Sequence, residues 1–169
     1  MARGFISLGS NINPQANVRA ALHALARQVK IVVVSTVYLA PAEARPGQPL
    51  FYNCIVEIDT DIAPLDLKYK ILRPIEAALG RKRDSDKYAP RTIDLDLVLY
   101  GDVTLNTIEL VLPDPEIPKR PFLAIPLAEL APDLIIPGIG KRASDIAVAF
   151  QKGELRPLTS YTSSLREEI

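Results

Sequence analysis

Fifteen prolines in 169 residues, about twice the roughly 5 % of average usage, limit where regular structure can run in this chain. Inside a helix or a central strand a proline removes a hydrogen-bond donor and clashes with the preceding turn. They are therefore expected at element starts, boundaries and loops. Three fall in 41–49 and seven in 113–137. Those two stretches are expected to be long, shaped connections, and the regular elements must fit around them.

Between the prolines the hydrophobic period names the elements. Residues 3–9 read as a short apolar strand ending at Gly9. Asn13 and Pro14 look like an N-cap and first helical position. Val18, Leu22, Leu25 and Val29 follow at helical spacing, which predicts a helix over 14–29. Residues 30–39 are β-branched and strand-like, and 51–59 read as their hairpin partner. Leu67, Ile71, Ile75 and Leu79 predict a second helix over 64–79. Pro74 cannot donate to the carbonyl of Lys70, so a kink is expected there. Residues 92–100 are a fourth, strongly apolar strand, 102–112 a further strand or hairpin, and 113–137 and 143–150 each hold a short helix. The polar tail from about 151 is expected to carry little structure.

This order, β-α-β-β-α-β over 3–100, is the ferredoxin-like pattern. It predicts one α+β domain over 1–169: an antiparallel sheet with helices on one side and a C-terminal extension. The pattern hosts many functions and selects none. Composition narrows the classes instead. Lys and Arg number 20 and so do Asp and Glu, for a net charge of zero. That argues against binding nucleic acid or an anionic membrane by bulk charge. One Cys and one His exclude a disulfide framework and a Cys- or His-rich metal site. With no secretory leader pattern and no run of about 18 apolar residues, a cytoplasmic protein without a membrane partner is expected, and a monomer.

Chemistry concentrates at Asp94 and Asp96, two acids inside the apolar strand TIDLDLVLY. Alternation points both carboxylates to one face and Leu95, Leu97 and Leu99 to the other. Oxygen ligands at this spacing suit Mg²⁺ held jointly with substrate phosphates; a solvent-facing sheet edge with Arg partners is the plainer alternative. Immediately upstream, Arg81, Lys82, Arg83, Lys87 and Arg91 stand against Asp84 and Asp86. Six acids and no base then occupy 92–116. A basic loop feeding an acidic strand suits a Mg–nucleotide site, although alone such a loop is more often a solvated surface. Phe51, Asn53, Tyr88 and Phe122 could stack on and read the edge of a planar heteroaromatic ligand; in isolation the two Phe are more often core. Cys54 reads as a buried strand residue and His23 as a surface one. Gly138, Gly140 and Lys141 lack phosphate-loop spacing and read as a turn.

The strings SLGSN (7–11), FYN (51–53), GRKR (80–83), APRTIDLDLVLYGD (89–102) and LPDPEIPKRPFLAIPLAELAP (112–132) resemble those of the 6-hydroxymethyl-7,8-dihydropterin pyrophosphokinase family. The resemblance spans roughly residues 4–137. It implies pyrophosphate transfer from MgATP to the pterin's hydroxymethyl oxygen, giving AMP, on a ferredoxin-like fold with mobile loops. By position, Asp94 and Asp96 match the carboxylates that bind two Mg²⁺ ions, and Asp96 is implied to orient or deprotonate the attacking hydroxyl. Arg81, Arg83, Arg91 and Arg120 match phosphate-side cations, with Lys119 beside them. Asp94, Asp96, Arg81 and Arg91 form the implied catalytic set. Phe51 and Phe122 match the aromatic pair around the pterin, Asn53 the amide reading its edge, and Tyr88 a lid aromatic. Ala40, Pro41, Ala42 and Glu43 match the loop lining the pterin pocket.

Four departures stand out. Asp114 replaces a usual His, Glu116 a frequent basic residue, Tyr88 a Trp and Ala89 a Gly. Ionised Asp114 accepts hydrogen bonds only and cannot donate to phosphate. Two other classes compete on the residues alone. A different Mg-dependent nucleotidyltransferase would not need the Phe51, Asn53 and Phe122 set. A ferredoxin-like RNA-binding module would have no use for Asp94 and Asp96.

Overall fold

The structure, a computed structural model, describes residues 1–42, 46–150, 153 and 155–169. A six-stranded sheet forms its centre, built from β1 (Ala2–Ser10), β2 (Lys30–Val34), β3 (Tyr38–Ala40), β4 (Phe51–Thr60), β5 (Asp94–Tyr100) and β8 (Arg156–Pro157). Its order is β5-β1-β4-β3-β8, with β2 also on β4. Every registered pairing is antiparallel. β6 (Leu105–Asn106) and β7 (Val111–Leu112) make a separate small hairpin.

The β-branched run expected as one strand over 30–39 is two. β2 pairs with residues 56–59 of β4 and β3 with residues 51–53. At the break Ser35 substitutes for the ladder: its Oγ accepts from the Ile55 backbone N–H at 2.9 Å. Helix α1 (Pro14–Ala26) starts at Pro14 as expected, but Asn13 makes no side-chain cap bond. It takes a left-handed backbone instead, with φ 43°, a region Asn tolerates. The second helix divides into α2 (Pro64–Asp66), a π-helical segment Leu67–Leu72, and α3 (Arg73–Ala78). Arg73 N–H reaches back to the Lys68 carbonyl, a widened turn set directly before Pro74. The disturbance expected from the proline is thus a change of helical register.

Two cores sandwich the sheet. Ile6, Leu8, Val56, Ile58, Leu95 and Leu97 face α1 and the π segment, where Leu22, Leu25, Leu67 and Leu72 are fully buried. On the opposite face Phe5, Ile55, Val98 and Leu99 meet α4 (Pro121–Leu130) and α5 (Ala143–Ala147). The helices of the βαββαβ frame lie on one face as expected. The chain after β5, the expected C-terminal extension, adds α4 and α5 to the other. Full burial of each such Leu or Phe contributes about 1.5–3 kcal/mol.

Leu99 also departs from expectation. The β1–β5 register shifts between Phe5 and Ile6, pairing them with Leu99 and Leu97. Val98 is the extra residue of a bulge, and alternation reverses beyond it. Leu99 therefore joins the α4 core rather than the face of Leu95 and Leu97. The tail also orders: α6 (Thr159–Glu168) follows β8 and buries Leu165 and Thr162. Its polar sequence hid two buried side chains three residues apart, enough for one helical face.

Candidate active site

The sheet is hollow at one end because its central strand carries almost no bulk there. Gly9 of β1 pairs with Asn53 of β4 on one side and Asp94 of β5 on the other. Directly paired residues share a face, so Asn53 and Asp94 project together toward the α4 side. Two residues on, Ser7 pairs with Ile55 and Asp96. Phe5, next on that face, fills the α4 core. A Cβ at Gly9 would lie 3.0 Å from Asn53 Oδ1, so glycine is what admits the amide.

Three adjoining cavities occupy this end. One, about 200 Å³, is walled by Pro41, Ala42, Phe51, Asn53, Tyr88 and Phe122, with Gln48, Arg91, Asp94 and Arg120. A second gathers Arg73, Arg81, Lys82, Arg83, Lys87 and Arg91 around Asp84, Asp86, Asp94 and Asp96. The third is acidic, with Asp94, Asp96, Asp114 and Glu116 beside Arg120. Asp94 borders all three. Most expected site residues therefore converge. Ala40 is buried at the end of β3, and Lys119 is exposed; neither lines these cavities. Glu43 lies outside the described residues.

The cations grip the acidic strand directly. Arg91 Nη1 donates to Asp94 Oδ2 at 3.1 Å, and Arg81 Nη1 lies 3.3 Å from Asp94 Oδ1. Arg73 Nη2 is 3.6 Å from Asp96 Oδ1. Asp96 sits on the cleft floor, touching solvent but surrounded by protein. That burial, and then the Asp94 charge, push its carboxyl up to about 7, against the pull of Arg73. Burial likewise raises Asp114, while the Glu116 backbone N–H, donating to Asp114 Oδ1 at 2.9 Å, works the other way. Asp114 N–H bonds the Val98 carbonyl at 2.8 Å. The bulge in β5 thus anchors the loop that brings Asp114 and Glu116 to the cleft.

Four contributors were not read from the sequence. Glu76 is 1 % exposed. It accepts from Arg73 Nη1 at 2.6 Å, Arg83 Nη2 at 2.8 Å and the Leu95 backbone N–H at 3.0 Å. It therefore holds two cations of the cleft and β5 itself. Its one trace in the sequence is its place four residues after Leu72 on the buried stripe. Arg73 had no separate signal. Asn11 accepts the Arg91 backbone N–H at 2.8 Å and donates to the Pro49 carbonyl at 3.3 Å. Gln48 donates to the Tyr88 carbonyl at 2.6 Å. These last two tie the two loops that flank the aromatic cavity.

Asp94 and Asp96 offer only oxygen, two residues apart on one strand face. Among the described residues no group of three or more His, Cys, Asp or Glu side chains converges to hold an ion. An ion here must complete its shell with phosphate and water oxygens, which is how Mg²⁺ is commonly held. The residues fit it.

An α+β sheet that sets a carboxylate pair between a cationic cleft and an aromatic pocket defines a class, the enzymes of phosphoryl transfer. Comparison with known proteins narrows this. The model of the 7,8-dihydro-6-hydroxymethylpterin-pyrophosphokinase (HPPK) family matches residues 5–132. The 2-amino-4-hydroxy-6-hydroxymethyldihydropteridine pyrophosphokinase of Pseudomonas aeruginosa is 40 % identical over 138 residues, 80 % of this chain and 84 % of that one. The Methylorubrum extorquens protein of the same name is 39 % identical over 141 residues, 82 % and 88 % of the two chains. Among solved structures, Plasmodium falciparum HPPK-DHPS with pteroate superposes with TM-score 0.72 at 14 % identity over 88 % of this chain. The chain spans only 42 % of that longer protein, and this likeness speaks for the fold. The chain belongs to the 7,8-dihydro-6-hydroxymethylpterin pyrophosphokinase family.

Proposed function

We propose that the chain transfers pyrophosphate from MgATP to the hydroxymethyl oxygen of 6-hydroxymethyl-7,8-dihydropterin, a step of folate biosynthesis that releases AMP. One observation carries the assignment of roles: Asp94 is a shared wall of the aromatic pocket and the cationic cleft. A planar acceptor in the first and a polyphosphate in the second would meet at Asp94 and Asp96.

Phosphoryl transfer is mainly positioning plus charge neutralisation. Phe51 and Phe122 hold the pterin ring, and Asn53, admitted by Gly9, reads its polar edge. Arg81, Arg83 and Arg91 take the phosphate oxygens, with Arg120 from the opposite side. Arg73 joins them from α3. Asp94 and Asp96 would hold Mg²⁺, two ions in our reading, which would supply positive charge against the phosphate oxygens. Asp96 is then placed to orient the attacking hydroxyl. Gln48 and Asn11 keep the flanking loops together over the acceptor and exclude competing water.

The test is direct. Incubation with Mg²⁺, ATP and 6-hydroxymethyl-7,8-dihydropterin should yield AMP and the pterin diphosphate in equal amounts. ADP as the nucleotide product overturns the β-phosphorus assignment.

A further inference from the structure

β3 is three residues long, too short to hold its place by one ladder. Yet it leads directly into Pro41 and Ala42, and it pairs with Phe51 and Asn53. Its support comes from the far end of the chain, beyond the residues that match the family model. Tyr38 and Leu39 pair with Pro157 and Arg156 of β8. Leu158 N–H donates to the Val37 carbonyl at 2.8 Å. The Val37 N–H donates to Thr162 Oγ1 at 2.9 Å, and that hydroxyl donates to the Leu158 carbonyl at 2.8 Å. Arg166 forks onto the Val34 carbonyl at 2.9 and 2.7 Å. Where β2 gives way to β3, the Val34 carbonyl and both backbone groups of Val37 are thus taken up by residues 158–166, while the Thr36 N–H goes to Glu129 of α4 at 2.8 Å. Tyr161 also packs edge-on against Tyr52 at 5.4 Å, between Phe51 and Asn53 in sequence but on the other face.

We infer that the β8–α6 segment is a positioning element for the acceptor site: it fixes β3, and through β3 the Pro41–Ala42 wall and the Phe51–Asn53 edge. This rests on the reading of that pocket as the pterin site. A helix that merely covered the core would need Leu165 alone. It would not need a buried hydroxyl on Val37 or a guanidinium on Val34. Among the described residues no hydrogen bond or ion pair joins this segment to the cationic cleft, which is built from α3, 80–91 and β5.

The experiment uses the full chain with Thr162→Val, which keeps shape and removes the hydroxyl, and Arg166→Ala, whose side chain is partly exposed and should fold normally. Titration with 6-hydroxymethyl-7,8-dihydropterin should show affinity reduced about five- to thirtyfold in Thr162→Val, the effect of one buried hydrogen bond. Affinity for Mg²⁺ with α,β-methylene-ATP should stay within about twofold, as for a distant site. Amide exchange at Val37–Ala40 should accelerate in both variants. Equal weakening for both ligands, or faster exchange with pterin affinity unchanged, overturns the proposal. Exchange is read without ligand. If the wild-type chain binds no pterin, the pocket reading fails, and unchanged exchange at Val37–Ala40 would separately refute the segment's hold on β3.

Discussion

Gly9 shapes the site by what it lacks. With a Cβ 3.0 Å from Asn53 Oδ1 and in ordinary contact with Phe51 Cδ1 at 3.8 Å, Gly9→Ala must shift the amide. Overpacking of this kind costs about 1–3 kcal/mol. We expect pterin affinity to fall by about tenfold or more with MgATP affinity retained, as read by titration with each ligand. Asp96 carries the opposite burden, a charge held where the protein resists it. Its folded carboxyl titrates near 7, above the unfolded range, so the folded state binds the proton more tightly. Ionised Asp96 thus destabilises the ligand-free fold, progressively as pH rises from about 4 to 7. Its side chain is 45 % exposed, which discounts the effect to about 1–2 kcal/mol. Asp96→Asn should therefore raise stability in urea at pH 8, lose that gain near pH 4, and abolish turnover. An Asp96→Asn variant no more stable at pH 8 than at pH 4, relative to wild type, would contradict this account.

At the scale of elements, the bulge in β5 does two things. It turns Leu99 to the α4 core, and it offers the Val98 carbonyl to Asp114 N–H. Asp114 is therefore both a turn residue, through Glu116 N–H, and a charge on the acidic side of the cleft. Asn preserves the turn and removes the charge. Asp114→Asn should tighten MgATP binding by about three- to tenfold, the weight of one partly screened like charge near phosphate, without loss of stability; calorimetric titration measures it. The sequence identified Asp114 as a departure from its family, and only the loop anchorage shows that its backbone role and its charge are separable.

For the whole molecule, the two cores are not equivalent. Leu22 and Leu127 are both 0 % exposed, and truncating either to Ala should cost about 2–5 kcal/mol in chemical denaturation. Leu127 belongs to α4, whose first turn bears Phe122 and follows Arg120; Leu22 belongs to α1 on the opposite face. Leu127→Ala should also weaken pterin binding, while Leu22→Ala should leave it unchanged at temperatures where both remain folded. Equal effects on binding would mean that the site is held by both layers.

The alternation of strands and helices through β5, the helix at Pro14 and the Asp94–Asp96 pair could all be read from the chain, because local period, proline geometry and charge run each act over a few residues. Family membership was legible in the same way, through contiguous strings. What escaped depends on partners far apart in sequence. Glu76 gains its meaning from Arg83 and Leu95, the reversal at Leu99 from a bulge against β1, and the ordered tail from hydrogen bonds to Val34 and Val37. Sidedness belonged to this second group: α4 could be seen as a helix but not assigned a face. The sequence alone determined which chemistry is present and on which elements. The tertiary structure alone decided that Asp94 would border the aromatic pocket and the cationic cleft at once, because only sheet register brings Gly9 between Asn53 and Asp94.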